Sequence, residues 1–524
     1  MAALAGYAYE NFIEAIAQLV SRALTDKETE SIIQGFQSFQ EKLKRLSSEN
    51  LRRIGIEITK QSRPSTCKHE GKTCAQNVTR GFAKAFLVSY AVKYSLAIAP
   101  ALLTGQVFKN DTFSFALFLS TFISSYKAIL CTLRNLRENP DPAADKLNAL
   151  IAGSIAGLSL AIERNRPRRL AIMLYLVARS GQFGCAWLMK RWAEHRRQRR
   201  RELANEMRER LEAQGFQEGE RRQLVIKKGW DDKLAKFLVE WAGTGVMMLA
   251  SAQIIYAFLF EGDTLPKSYF GFLLVHSGWK GDFGSLAAPL AFSIRQTVNK
   301  LSRSGASIRI PKGVSSREYI ARHVSPNIAT VIPPKLRHEF VLCALQHPLY
   351  DSCTRSKVNL LFREFARALK LYLPLNGIMT VAFRWNQITS QPEKVLLRFL
   401  QSTFRSALFL TCYVTFGMAT PCVVRPAINR EGHLIYMLAG VVAGAMVLVE
   451  APGRRLELGL YCLPRALESF WRCMVKWGYA RNVPHGDVLL FSAAMGVLMT
   501  LYQNEPDTIG PHYLSVMTRF FGRN

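Results

Sequence analysis

Long apolar runs alternate along the chain with stretches crowded with lysine and arginine. Several runs approach the roughly 20 residues that an α-helix needs to cross a hydrocarbon core. In the first half they are Phe82–Thr104, Phe113–Leu133, Leu150–Glu163 and Phe237–Phe260. In the second they are Leu360–Phe383, Val395–Gly417, His433–Glu450, Leu456–Trp477 and Asp487–Tyr502. Leu170–Lys190 reads either as a further span or, with Arg179 near its middle, as an interfacial helix. Phe12, Ile16, Leu19, Val20 and Ala23 recur at helical spacing, which predicts an amphipathic helix over 1–23 that docks on the bundle or lies on the membrane. Thr25–Pro64 is polar and predicted helical over Glu30–Leu46.

Two of the runs share a pattern. Leu150–Glu163 holds Ala152-Gly153 and Ala156-Gly157 before its carboxylate, and the run ending at Glu450 holds Ala439-Gly440 and Ala443-Gly444. Glycines four residues apart fall on one helix face, so Gly153 with Gly157 and Gly440 with Gly444 predict grooves where a second backbone approaches closely. The residues beyond each run repeat as well: Arg168-Arg169-Leu170, Tyr175 and Arg179 answer Arg454-Arg455-Leu456, Tyr461 and Arg465. Glu261-Gly-Asp263-Thr264-Leu265 with Tyr269 answers Glu505-Pro-Asp507-Thr508-Ile509 with Tyr513, and Ser120-Thr121-Phe122 is echoed by Ser402-Thr403-Phe404. The expected fold is all-α, a multi-pass helical membrane protein of two tandem repeats, each of four to five membrane helices with glycine-zipper packing. The divisions are N-terminal helices over 1–64, a first repeat over 65–190, a basic charged helix inserted at 191–236, the last helix and exit segment of the first repeat at 237–300, a basic linker at 301–340, and the second repeat at 341–524.

Charge changes the picture of partners. The 524 residues carry a formal net charge of +30 with 49% hydrophobic and 21% charged residues, and the mean hydropathy is +0.04. Such a charge suits nucleic acid or an anionic membrane surface. The apolar runs select the membrane, and no nucleic-acid-binding motif is present. Arg191–Arg222 has a helical rhythm of Arg and Glu, and Arg196, Arg197, Arg199, Arg200 and Arg201 are its most basic part. It reads as a solvated helix or as a contact for anionic lipid head groups. The expected partners are therefore the lipid bilayer and its head groups, with protein partners or a homo-oligomer left open.

The candidate chemistry is sparse. Cys67, His69 and Cys74 precede the first apolar run, and Cys343, His347 and Cys353 precede the corresponding run of the second half. Thiolate and imidazole are zinc ligands, but neither trio forms two tight knuckles, so metal ligation and ordinary buried thiols both remain open. Zinc is the one cofactor these residues offer; none is otherwise expected. Cys131, Cys185, Cys412 and Cys462 lie in apolar segments, where packing is the ordinary reading of a thiol. Ionisable groups at membrane depth mark pathways, so Lys93, Glu163, Arg405 and Glu450 are candidates to line a polar cavity between the repeats. Helix caps and ion pairs explain the two carboxylates equally well. No cluster of nucleophile, acid, base or metal set marks an enzyme, and no catalytic residue is assigned.

The order of these parts resembles a known family: a Cys/His segment, apolar spans, an Ala-Gly-x-x-Ala-Gly helix with a following Tyr, then Val483-Pro-His485-Gly-Asp487 leading into a last apolar helix. It is similar to the transmembrane protein 135 family, also called peroxisomal membrane protein 52. The Cys343/His347-Pro348/Cys353 segment is similar to that family's cysteine-rich N-terminal region. The likeness covers both halves, from about 65 to about 520, with Arg191–Arg222 as an insertion. That family is distantly similar to the mitochondrial inner-membrane translocase (Tim) channel superfamily. The resemblance implies a multi-pass protein of peroxisomal or mitochondrial membranes, concerned with organelle dynamics and lipid handling, with no catalytic residues to carry over. The first half has no Pro-His-x-Asp counterpart, so any role of His485 and Asp487 belongs to the second half. The implied function is non-enzymatic; the alternatives are a carrier or channel for a small solute or lipid, and a lipid-modifying enzyme.

Overall fold

A computed structural model describes residues 67, 73–104, 112–136, 142–213, 230–304 and 307–522. The expected helices within 1–64, His69, and the basic stretch from 214 to 222 lie outside the described residues. Among those described there is no β-strand, only an isolated antiparallel bridge between Arg309 and Phe340.

The first helices are α1 (Cys74–Thr104), α2 (Thr112–Asn135), α3 (Pro142–Gly157, continued by a 3-10 turn Leu158–Ile162), α4 (Arg166–Ala213) and α5 (Trp230–Phe260). Shorter helices come next: α6 (Lys267–His276), α7 (Trp279–Phe283), α8 (Ala287–Ser304), α9 (Ser316–His323), α10 (Pro326–Ala329) and α11 (Val341–Gln346). The chain then builds α12 (Cys353–Ser390), α13 (Pro392–Ile428), α14 (His433–Ala445, continued by a 3-10 turn Met446–Val449), α15 (Pro452–Lys476), α16 (Gly486–Asn504) and α17 (Pro511–Phe521). Local sequence sets these limits. Proline opens α13, α15 and α17, where its missing N–H costs nothing. Ser315 and Ser352 cap α9 and α12 by accepting from Glu318 N at 3.2 Å and Arg355 N at 3.4 Å. Asn429, at φ 50°, ends α13 in the left-handed conformation that its short side chain tolerates.

Among the described residues five helices are long and apolar enough to cross a membrane: α2, α3 with its 3-10 turn (Ala143–Ile162), α5, α13 and α16. His433–Val449 is apolar but shorter. The runs Phe82–Thr104 and Leu360–Phe383 are helical within α1 and α12, and Leu456–Trp477 is helical up to Lys476 within α15; none of these helices is among the five. Leu170–Lys190 and the basic stretch from Arg191 are one continuous helix of 48 residues, α4, so the expected insertion extends a helix rather than forming its own. Many large apolar side chains on these five helices are exposed, among them Phe237, Val239 and Leu249 of α5, Leu397 and Val423 of α13, and Leu489 of α16. Surface of this kind is tolerated in lipid and is a liability in water, so the architecture is compatible with a multi-pass membrane protein.

The chain forms two compact units, neither of them contiguous in sequence. Among the described residues the terminal unit comprises 67–187, 381–385 and 485–522, and the central unit 188–380 and 386–484. In the terminal unit α3 lies along α16 and against α2, and α1 pairs with α2. Its core joins Phe118, Phe122, Leu160 and Met499 to Phe491, whose ring meets Phe118 and Phe122 edge-on at 5.8 and 6.2 Å. In the central unit α5 packs on α14 and α15, and α13 on α14. Its core includes Trp279, stacked on Phe258 at 5.5 Å. The basic stretch expected as a linker, 301–340, contributes Ile310, Ile320, Ile328 and Ile332 to that core, because its isoleucines interleave with the charges that remain outside. Each unit thus combines helices from both halves of the sequence: α5 sits with α14 and α15, and α16 with α2 and α3.

Candidate functional site

The glycine pairs are places of backbone contact. A Cβ at Gly153 would lie 2.7 Å from the Met495 carbonyl oxygen and one at Gly157 2.6 Å from Ser492 Cα. At Gly440 it would lie 2.5 Å from Ala252 Cα, and at Gly444 2.5 Å from Met248 Cα. Real Cβ atoms do not approach so closely, so α3 rides directly on α16, and α14 on α5.

The carboxylate beyond each pair is buried and held in the same manner. Glu163 accepts from Ser114 Oγ of α2 at 3.3 Å and from Asn165 N at 3.0 Å, and pairs with Arg168 at 3.3 Å. Glu450 accepts from Ser406 Oγ of α13 at 2.6 Å and from Ala451 N at 3.3 Å, and pairs with Arg454 at 3.7 Å. Each is neutralised within its own unit. Lys93, Glu163, Arg405 and Glu450 are the groups expected to line a polar pathway. Lys93 and Glu163 belong to the terminal unit, with Lys93 placed 4.9 Å from the Phe115 ring centre; Glu450 and Arg405 belong to the central unit, where Arg405 is exposed. Glu450→Ala should cost about 1–3 kcal/mol in thermal unfolding because Ser406 and Arg454 lose their acceptor, while Glu450→Gln, which keeps an oxygen there, should cost less.

The remaining ionisable candidates are also placed. Arg196 meets Asp232 at 2.8 Å and lies 4.4 Å from the Trp192 ring centre, and Arg200 pairs with the same Asp232. Arg197, Arg199 and Arg201 are exposed on α4. Asp487 pairs with Arg169 at 2.5 Å, and His485 occupies the left-handed turn (φ 54°) before α16, so the Pro-His-x-Asp motif fastens a helix start.

An apolar cavity of about 140 Å³ opens in the central unit among α5, α6, α12, α13 and α15. Tyr269, Phe272, Tyr372, Phe409, Tyr413 and Tyr461 supply its aromatic wall, and Met247, Leu273, Leu371, Leu375, Leu410 and Leu458 its aliphatic one. Its charged lining residues are Arg454 and Glu457. The Tyr461 hydroxyl is buried without a hydrogen-bond partner among the described residues. An apolar wall with one guanidinium and one carboxylate on it suits an acyl chain with a polar head.

The second set is a sulfur and imidazole cluster. Cys343 Sγ lies 3.8 Å from Cys353 Sγ, Cys353 Sγ lies 3.3 Å from His347 Nε2, and Cys422 of α13 completes a group whose ligand atoms are all within 4.8 Å of one another. His347 Nδ1 donates to the Tyr350 carbonyl at 2.9 Å, which leaves Nε2 facing the thiols. His338 supports that loop through Nε2, 2.8 Å from the Tyr350 carbonyl, and its pKa is lowered by burial and by His347. Burial disfavours the His347 cation, but hydrogen bonds with Cys353 and Cys422 outweigh it and push its pKa up to about 9. In the terminal unit Cys67, Cys74 and Cys131 form a comparable group of three thiols.

Sequence alone grouped Cys343, His347 and Cys353, as it did Cys67 and Cys74, but left out Cys131 and Cys422, which lie in apolar helices. The signal that could have found them is a shared tetrapeptide, Cys131-Thr-Leu-Arg134 and Cys422-Val-Val-Arg425, each arginine paired with an acid: Arg134 with Asp145 at 2.8 Å and Arg425 with Glu431. No family model matches the chain, and no solved structure matches it.

Proposed function

We propose that the chain is a non-enzymatic, multi-pass protein of a peroxisomal or mitochondrial membrane, of the transmembrane protein 135 type, which handles lipid by holding a single-chain amphiphile with an anionic head in the cavity of the central unit. The observation that carries this reading is the cavity itself: apolar on almost every side, with Arg454 and Glu457 as its charged lining and the buried Tyr461 hydroxyl lacking a partner among the described residues. The exposed Arg197, Arg199 and Arg201 add a surface for anionic head groups.

With this function goes an architecture of two tandem repeats that have exchanged their last helices, with glycine-zipper contacts. Three paired features support it: the glycine pairs, the buried Glu163 and Glu450 each held by a serine and an arginine, and the Cys-x-x-Arg tetrapeptides with their acids. On this reading the cavity lies between elements of both repeats, as α5 and α6 come from the first and α12, α13 and α15 from the second.

The test uses the purified full chain in lipid nanodiscs with a diazirine-bearing fatty acid. Photolabel should concentrate on peptides containing Phe409, Tyr413 or Tyr461, and Arg454→Leu should weaken capture of the carboxylate probe about tenfold while sparing an alcohol-headed analogue. Label spread evenly over all apolar helices would remove the cavity from the account. Probe flux across reconstituted vesicles would favour a carrier over a holder.

A further inference from the structure

We infer that Cys343, His347, Cys353 and Cys422 form a structural zinc site that clips the start of α12 and the end of α13 to α11. In tetrahedral zinc with Zn–S near 2.3 Å and Zn–N near 2.0 Å, sulfurs stand about 3.8 Å apart and sulfur from nitrogen about 3.6 Å. The observed separations are 3.8 Å for Cys343 to Cys353 and 3.3 Å for Cys353 to His347. A disulfide needs sulfurs at about 2.05 Å, so the spacing fits ligands around a common ion. With all four atoms within 4.8 Å of one another, the group suits one ion rather than a multinuclear cluster.

The surroundings also suit an ion. The Nδ1–H of His347 is occupied by the Tyr350 carbonyl, the outer bond that orients a ligating imidazole and leaves Nε2 free to bind. Three thiolates and one imidazole around Zn²⁺ leave a net charge of −1, costly in a buried place. Arg425 Nη1 lies 2.9 Å from Cys343 Sγ, and the buried Lys357 acts on both His347 and Cys422, so two cations offset the zinc centre and Glu431 together. Cys343, His347 and Cys422 are buried and Cys353 is partly so, which closes the set against a water ligand and marks it as structural rather than catalytic. Binding replaces the thiol protons with the metal, and those protons pass to solvent.

The experiment is zinc analysis of the full chain purified without chelator. Wild-type protein should hold one zinc more per chain than His347→Ala, and His347→Cys, which keeps four soft ligands, should retain that zinc. Reading the site as a difference keeps any metal on Cys67, Cys74 and Cys131 out of the result. A second measurement needs no variant: in folded wild-type protein Cys343, Cys353 and Cys422 should resist maleimide until a chelator is added, as mapped by mass spectrometry. Cobalt in place of zinc should give the spectrum of a tetrahedral thiolate site. Equal zinc in wild type and His347→Ala, chelator-independent labelling of the three thiols, a Cys343–Cys353 disulfide, or iron in place of zinc would each overturn the assignment.

Discussion

Arg425→Met is expected to lower the stability of the chain by about 3–5 kcal/mol, measured by thermal unfolding in detergent after chelator treatment. The guanidinium is fully buried, it pairs with an equally buried Glu431 side chain, and it reaches the Cys343 sulfur at 2.9 Å. Removing it leaves a carboxylate in the interior with no cation beside it. Burial already holds the Glu431 pKa above the usual carboxylate range, despite Arg425. Without Arg425 the pKa rises further and the group is protonated in the folded state. A raised acid pKa makes the folded state the tighter binder of protons. The deficit should therefore be largest at neutral pH and shrink as pH falls toward the unfolded glutamic acid value near 4.3. Arg425→Met combined with Glu431→Leu should recover most of the loss, since two apolar side chains replace the buried pair. Arg134→Met should be milder, because Asp145 in the corresponding pair keeps 21% of its side chain exposed and water can take over from the arginine. A single Arg425→Met variant as stable as wild type at neutral pH would show that water reaches Glu431.

Much of this molecule is legible in the order of its residues, and the reasons are local. Apolar runs of spanning length imposed α2, α5, α13 and α16, and the Ala-Gly pairs marked where backbones touch. What the glycines touch was not legible. Gly440 meets α5 and Gly153 meets α16, helices nearly 190 and more than 330 residues away along the chain, and no periodicity encodes a partner at that distance. Nor does the echo of Ser120-Thr121-Phe122 in Ser402-Thr403-Phe404 point to the serines beside Glu163 and Glu450. The serines that hold the buried carboxylates are Ser114 and Ser406, one before the first tripeptide and the other after the second. Composition likewise hid the sulfur cluster. Cys422 sits in a helix whose apolarity explains a thiol without a further role, and only its closeness to Cys343, His347 and Cys353 separates it from Cys412, which has no such neighbours in the cluster. Arg405 shows the converse: its sequence places a cation inside an apolar run, yet the residue is exposed.

Gly440→Ala and Gly444→Ala together should separate α14 from α5 and cost several kcal/mol, read as a lower midpoint in thermal unfolding and earlier proteolysis. Two effects of opposite sign decide the outcome. Alanine favours a helix interior over glycine by about 1 kcal/mol per residue, so at an open site the change stabilises. At these sites the new methyl groups would meet backbone: at Gly440 the Ala252 Cα at 2.5 Å and the Ser251 oxygen at 2.6 Å, and at Gly444 the Met248 Cα at 2.5 Å and the Met247 oxygen at 2.8 Å. Backbone atoms in the middle of α5 cannot turn aside as a flexible side chain can, so the helices must move apart. Each overpacked site of this kind costs about 1–3 kcal/mol, and in lipid no hydrophobic gain offsets the lost contact. The two sites lie one turn apart on one face, so the first methyl already opens the groove and the second adds less than its single-site cost. Gly181→Ala and Gly184→Ala provide the internal contrast: nothing lies within 4 Å of a Cβ at either place in α4, so both should be neutral or stabilising by up to about 1 kcal/mol. If the Gly440 and Gly444 variants instead behaved like the Gly181 and Gly184 variants, the close approach of α14 to α5 would be wrong, and with it the placement of the cavity wall that α5 supplies through Met247.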